Sequence, residues 1–337
     1  MSDAANDPAG APPRYLDAYL GPLLPVLARG DVTDIYINRP GELWIETLGG
    51  ALEHHLAPEL TEAQLWRLAR QIAALAHQGI SREHPLLSAT LPDGSRVQVV
   101  APPATRGDMA IAIRKHVVAD LRLSDYAAGG AFAGTRTDAG AALAPTVPSD
   151  PAMLDRFLAE AVRARRNILV SGGTSTGKTT FLNALIKEIP PTERLLLIED
   201  TPELQLTHAN AVGLVAVRGE LREARVTQEA LLQASLRMRP DRIILGELRG
   251  AEAYTFLRAV NTGHPGSLTT LHADSPEGAI EQLALLILQS GAQLRREDIV
   301  HYVLSVIDIF VQLDRVAGRR VISRITTPAQ LRRDGAR

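Results

Sequence analysis

Hydrophobic and polar positions follow two different rhythms along the chain. In the first third the apolar stretches are short and alternating. "DIYINRPGELWIE" (residues 34–46) alternates on both sides of Arg39-Pro40-Gly41, which predicts a hairpin. "RVQVVAPP" (96–103) and "DMAIAIRK" (108–115) read as two more strands. Residues 14–29 place Tyr15, Leu16, Tyr19, Leu23 and Leu24 on one helical face. "TEAQLWRLARQIAALAHQG" (61–79) predicts a second helix, with a Leu65, Leu68, Ile72, Leu75 stripe. Thr61 with Gln64 fits a capping box at its start, and Gly79 sits at its stop. Short strands mixed with helices predict a small α+β domain over 14–126.

Residues 127–150 lose this periodicity. They are rich in Ala, Gly, Thr and Pro, and read as a linker. From 151 to 337 the rhythm changes to continuous apolar runs separated by helical stretches. The expected strands are 167–173, 194–200, 241–247, 266–273 and 308–314. The expected helices are 178–189, 227–238, 251–262 and 275–290, the last with Ser275 as cap and Pro276 at the first position. Continuous apolar strands between helices predict an α/β domain, its mostly parallel sheet covered on both faces.

Composition narrows the functions open to such a chain. At 337 residues it has room for about two domains. A net charge of −2 gives no overall basic field to recruit nucleic acid or an anionic membrane, and aromatics at 4% leave few stacking platforms for single strands. With no cysteine, a disulfide framework and any thiolate-bound zinc are excluded. Residues 1–13 lack the pattern of a signal peptide and read as a disordered tail, and no apolar run reaches a membrane-spanning length. A cytoplasmic location is expected, with any membrane attachment peripheral and made through partners.

The chemistry concentrates at the ends of the predicted strands. "SGGTSTGKTT" (171–180) completes G-x-x-x-x-G-K-[ST] with Gly172, Gly177, Lys178 and Thr179, between an apolar strand and a helix. Gly173, Thr174, Ser175, Thr176 and Thr180 complete the loop. Backbone N–H groups and the helix N-terminus would cradle phosphates, Lys178 would reach the β/γ-phosphates, and Thr179 would hold Mg²⁺. "RPDRIILGELRG" (239–250) ends a buried strand in Gly246-Glu247, where an acidic residue holds the metal through water or orients the attacking water. "LLLIEDTPEL" (195–204) ends another strand with Glu199, Asp200 and Glu203. These carboxylates either supply a base or cap the following turn. "NTGHPGSLTTLHA" (261–273) flanks a strand with His264 and His272, which could sense the nucleotide. Their spacing lacks a third metal ligand.

In this order, "SGGTSTGKTTFLNAL", "IEDTPEL", "LRMRPDRIILGELRG" and "NTGHPGSLTTLHADSP" resemble the Walker A, Asp box, Walker B and His box of the secretion-ATPase superfamily. Within it the chain is most similar to the traffic ATPases of type IV secretion systems, the eleventh component of the VirB type. The resemblance implies a RecA-like P-loop domain behind a smaller N-terminal α+β domain, ATP and Mg²⁺ as cofactors, and a homohexameric ring. Its partners would be inner-membrane type IV secretion components, including other secretion ATPases, without stable direct binding of nucleic acid. It further implies that Glu203 and Glu247 support hydrolysis, that His272 marks the His box, and that Arg96 and Arg114 of the first domain reach the phosphates. Absence of cysteine separates the chain from type II secretion ATPases that carry a four-cysteine zinc module. Pilus assembly or retraction ATPases of the same superfamily are the alternative, and a nucleic-acid translocase on the same core is a more distant one.

Overall fold

The computed structural model describes residues 19–115, 145–217 and 224–333. The chain divides into two compact units. The first holds residues 1–117 with 217–225 and 237–239, and the second holds 118–216, 226–236 and 240–337.

The first unit is built on an antiparallel sheet of strands β1 (Val32–Ile37), β2 (Gly41–Thr47), β3 (Leu52–Ala57), β4 (Leu86–Thr90), β5 (Arg96–Val100) and β6 (Ala110–Arg114). Their order is β3-β2-β1-β6-β5-β4. Alternation puts Ile35, Ile37, Leu43, Ile45, Val97, Val99, Ile111 and Ile113 in one core with Leu65, Leu68, Ala69 and Ile72 of helix α2 (Glu62–Leu75). On the polar positions Tyr36 donates to Glu46 at 2.6 Å, and the register partners Trp44 and His54 stack at 4.2 Å. At the surface, Arg29 forks between Asp31 and Glu53 and holds the Glu53 carboxyl down to about 2.

The hairpin and the two later strands lie where the pattern predicts, while β3 and β4 went unassigned. Thr61 caps α2 by accepting from the backbone N–H of Gln64, but the Gln64 amide donates to the carbonyl of Tyr19, so the box is only half closed. The expected stop at Gly79 is corrected. The helix ends earlier, where His77 takes φ 52°, and the N–H groups of His77 and Gln78 bond back to Ala74 and Ala73. The continuous helix expected over 14–29 is also corrected for its described part. Helix α1 covers only Leu24–Leu27, after a turn through Gly21-Pro22-Leu23. Residues 14–18 lie outside the described residues, as do residues 127–144 of the expected linker.

The second unit carries a seven-stranded sheet, β13-β12-β7-β11-β10-β8-β9. In chain order its elements are α3 (Leu154–Arg163), β7 (Ile168–Gly172), α4 (Lys178–Ile186), β8 (Leu195–Glu199), β9 (Ala211–Val215), α5 (Gln228–Ser235) and β10 (Arg242–Leu248). There follow α6 (Glu252–Asn261), β11 (Leu268–Leu271), α7 (Pro276–Gln289), α8 (Arg296–Val306), β12 (Ile309–Val316), β13 (Arg319–Thr326) and α9 (Pro328–Arg333). Six strands are parallel, and β13 closes one edge antiparallel. Ile168, Val170, Leu195, Leu197, Ile244 and Val311 face a core shared with α3 and α4. Leu169, Leu196, Ile243, Leu245 and Phe310, one residue out of phase, are equally buried, with α5, α6 and α7 against β8, β10 and β12. Burial on both faces is why these strands read as unbroken apolar runs. Strands β9 and β13 and helices α3, α8 and α9 were not assigned from the sequence.

One charged pair is sealed at the amino ends of these strands. Arg242 is fully buried and binds Glu193 through Nε at 2.6 Å and Nη2 at 2.9 Å, while its Nη1 donates to the carbonyl of Val162 at 2.6 Å. Gly266, at φ 79°, leaves the room this guanidinium needs, since a Cβ there would lie 2.6 Å from Nη1. Glu193→Ala would strand the buried cation. The expected cost is about 3–5 kcal/mol in chemical unfolding of the second unit, and a loss below about 1 kcal/mol would contradict this account of the pair.

Candidate functional site

Four strand ends of the second unit converge on one cleft of about 510 Å³. The phosphate loop follows β7 and leads into α4. Gly177 opens that helix at φ 94°, a conformation that favours glycine. Gly172 is glycine because of close approach instead. A Cβ there would lie 2.5 Å from the Thr176 hydroxyl and 2.7 Å from the carbonyl oxygen of Leu313. Thr176 uses that hydroxyl to donate to the carbonyl of Gly173 at 2.9 Å, fixing the loop from within. Lys178 donates to the carbonyls of Gly172 and Gly173 at 2.9 and 3.2 Å, and its Nζ lies 3.6 Å from Glu247 Oε1.

Glu247 owes its position to an irregularity in β10. The pairing of β10 with β11 shifts between Leu245 and Leu248, so the Gly246-Glu247 peptide leaves the regular ladder at the sheet's carboxyl end. Thr270 on β11 donates to the carbonyl of Gly246 at 2.7 Å. Arg249 pairs with Glu247 and reaches Asp200 at 3.5 Å. The backbone that carries Arg249 is pinned in turn, because buried Glu252 accepts from the N–H groups of Arg249 and Gly250, each at 2.7 Å.

Of the three carboxylates at the end of β8, Glu199 is the turn cap. It is 3% exposed, and its Oε1 accepts from the N–H groups of Glu203 and Leu204 at 2.9 and 2.7 Å. Asn183 on α4 holds the same loop by accepting from Gln205 N–H and donating to the carbonyl of Glu203. Glu203 therefore stands on a clamped backbone with an exposed side chain lining the cleft.

The structure brings Thr174, Ser175, Thr176, Gly177, Lys178, Thr179, Thr180, Glu203, Glu247 and His272 into the cleft. Gly172 and Gly173 are not among its lining residues and contribute the carbonyls that hold Lys178. His264 does not join His272. The two stand at opposite ends of β11, and His264 Nδ1 is 3.1 Å from the carbonyl oxygen of Pro240. Arg96 and Arg114 belong to the first unit, where they are register partners on β5 and β6, and Arg114 donates to Asp34 at 2.9 Å. Sequence reasoning missed Gln228, Arg249, Thr270 and Arg320 in the cleft. Of these, Arg249 stands two residues after Glu247 in "GELRG" and Thr270 two residues before His272 in "TTLH", each beside a residue already singled out.

Among the described residues no group of three or more His, Asp or Glu is placed to hold a metal ion, and no helix is long and apolar enough to cross a membrane. Two residues that carry side-chain oxygens, Thr179 and Glu247, both line the cleft. Such a set suits Mg²⁺, which takes one or two protein oxygens and fills its shell with water and substrate phosphates.

A largely parallel sheet with a phosphate loop after its first strand and an acidic strand end beside the loop lysine defines a P-loop nucleotide-binding domain. The chain belongs to the family of type II/IV secretion system proteins, whose model matches residues 18–327. It is 37% identical to the type IV secretion system protein VirB11 of Bartonella quintana, over 91% of each chain. It is 40% identical to the type IV secretion system protein PtlH of Bordetella pertussis, over 96% of each. Among solved structures, the VirB11 ATPase of the Brucella suis type IV secretion system, crystallised with sulphate, superposes with a TM-score of 0.82 at 37% identity. That match covers 93% of this chain and 97% of the other.

The close approach at Gly172 yields a direct test. Gly172→Ala would push Thr176 and the strand behind it, and affinity for a fluorescent ATP analogue should fall at least about tenfold, in line with a backbone displacement costing about 1–3 kcal/mol. Unchanged affinity would show that the loop tolerates the Cβ.

Proposed function

We propose that the chain is a Mg²⁺-dependent ATPase that powers type IV secretion, working as a homohexameric ring held peripherally at the cytoplasmic side of the inner membrane. The observation that carries the catalytic reading is the meeting of Lys178 and Glu247 at 3.6 Å, in a cleft also lined by Glu203 and His272. The secretion role is supported by type IV relatives that match at 37–40% identity over more than nine-tenths of the chain.

The phosphate chain of ATP would lie on residues 172–180, against the backbone N–H groups at the start of α4. Lys178 would exchange its carbonyl partners for phosphate oxygens. Thr179 and Glu247 would hold Mg²⁺, Glu247 through water, and the ion when bound would neutralise charge on the β- and γ-oxygens. In the hydrolytic step a water oxygen bonds to the γ-phosphorus while the bond to the β–γ bridging oxygen breaks. The water's proton passes to a carboxylate, and ADP and phosphate leave. Since Glu199 is committed to the turn, Asp200, Glu203 and Glu247 are the cleft carboxylates available for that proton. His272, at the end of β11 and exposed in the cleft, would report the state of the γ-phosphate to the neighbouring strands.

The arginines of the first domain would complete the site in the ring. Arg96 and Arg114 leave the same end of neighbouring strands, so both can approach one phosphate chain. The domains would be residues 14–126 and 151–337, joined by 127–150, with other secretion ATPases of the channel among the partners. Lys178→Ala should abolish phosphate release and keep the circular dichroism spectrum. Glu247→Gln should lower turnover at least about a hundredfold while ATP still binds. A variant at Glu247 that hydrolyses normally would remove the residue from the mechanism.

Arg114→Ala should lower turnover more than ATP affinity, because its contact would strengthen as charge develops. Equal loss of both would mark it as a ground-state contact only. Light scattering with ATP and Mg²⁺ should give a mass near six times 36.3 kDa. A monomer that hydrolyses ATP would defeat the ring.

A further inference from the structure

Gln228 is the first residue of α5, directly after the cap Thr227, whose hydroxyl accepts from Ala230 N–H at 3.1 Å. Leu231 and Leu232 on the next turn are fully buried, and the helix packs on β8, so the backbone that carries Gln228 is held against the sheet. The residue is 2% exposed and still lines the cleft, with Glu199, Asp200, Gly246, Glu247, Thr270 and His272. Its Oε1 is buried with no hydrogen-bond partner. A buried amide oxygen left unpaired costs stability, and folded proteins rarely keep one without a use.

The position suggests the use. The phosphate loop forms one wall of the cleft, and the ends of β8, β10 and β11 bring the carboxylates and His272 to it. Hydrolysis needs a water held between a carboxylate and the γ-phosphorus, with a lone pair aimed at phosphorus. A carboxylate can accept only one of that water's two protons along the useful direction. A second, uncharged acceptor fixes the other and adds no repulsion towards the phosphates. A half-turn about the last side-chain torsion exchanges the amide's oxygen and nitrogen, so the acceptor can be presented to the cleft with little steric change.

Resting on the ATPase reading above, we propose that Gln228 is a further catalytic residue, whose amide oxygen accepts a hydrogen bond from the attacking water. It takes no proton and forms no bond to phosphorus. Its contribution is to hold the nucleophile in line, which belongs to the transition state more than to bound ATP.

The test uses the full chain and Gln228→Met, which keeps the length of the side chain and removes its hydrogen bonding. Turnover should fall at least about tenfold. Affinity for ATPγS should stay within about twofold, while affinity for ADP with aluminium fluoride, which mimics the phosphoryl group in flight, should drop at least about tenfold. The nucleotide-free protein should melt about 2–4 °C higher, because the orphaned oxygen is gone. Full turnover in Gln228→Met, or a fall in turnover matched by an equal fall in ATPγS affinity, would overturn the assignment. If the Met variant does not fold, Gln228→Asn withdraws the amide by one methylene and should lose turnover with ATPγS binding kept. Full turnover there would again overturn it. A wild-type chain that binds ATP without releasing phosphate defeats the ATPase reading itself, whereas an active wild type beside an equally active Gln228→Met defeats Gln228 alone.

Discussion

The ammonium of Lys178 is tied to the carbonyls of Gly172, which ends β7, and of Gly173 just after it, and lies 3.6 Å from Glu247 near the end of β10. Between β7 and β10 runs β11, so one cation spans three neighbouring strands at their carboxyl ends. Almost every other feature of the cleft serves to keep these partners in reach. Gly172 must lack a Cβ for the loop to turn beneath Leu313. At Gly246 a Cβ would be tight, 3.2 Å from Glu199 Cγ, and Glu199 in turn caps the loop that carries Glu203. The site is therefore a set of backbone constraints first and a set of charged side chains second.

The opposite ends of the strands show what rigidity of this kind requires. Arg242 and Glu193 form a buried bidentate pair, and Asn167 accepts from Gly266 N–H while donating to the carbonyl of Val306. Asp308 accepts from Asn167 N–H and pairs with Arg166. The first pair joins the starts of β8 and β10, and the Asn167 and Asp308 bonds join the starts of β7, β11 and β12. A buried ion pair is no general gain in stability over apolar packing. Here it fixes where the strands begin, and since the strands are short, where they begin decides where the loop lysine and its carboxylates end up.

This division explains what could be read from the sequence. The parallel strands and their helices were legible because burial on both faces makes a strand uniformly apolar, as in "LLLIE" and "RIIL". The phosphate loop and Glu247 were legible because each is local, a strand end and the few residues that follow. Strand β3, "LEHHLA", and the outer strand β13, "RRVISRIT", were missed because edge strands face water and lose the apolar signal. Helix α2 was legible but its stop was not, since His77 adopts a left-handed conformation that glycine would have advertised. Gln228, Thr270 and Arg320 reach the cleft from strands and helices far along the chain, and no spacing rule connects them to Lys178. The reading of Glu199 was open between base and turn cap, and only its two backbone hydrogen bonds decide for the cap.

The charge balance of the cleft follows from the same geometry. Glu199, Asp200, Glu203 and Glu247 share its walls, and ATP would add more negative charge among them. Carboxylates this close would repel one another and the phosphates unless cations stand between them. Arg249 bridges Glu247 and Asp200, and Lys178 faces Glu247 from the other side. Arg320 lies along Gly177, where a Cβ would meet its Cδ at 3.1 Å. Lys178 and Arg320 thus stand at the loop, where phosphates would bind, and Arg249 stands among the carboxylates. A nucleotide would therefore meet cations and backbone N–H groups first. The carboxylates, held back by Arg249, would meet the water that attacks it.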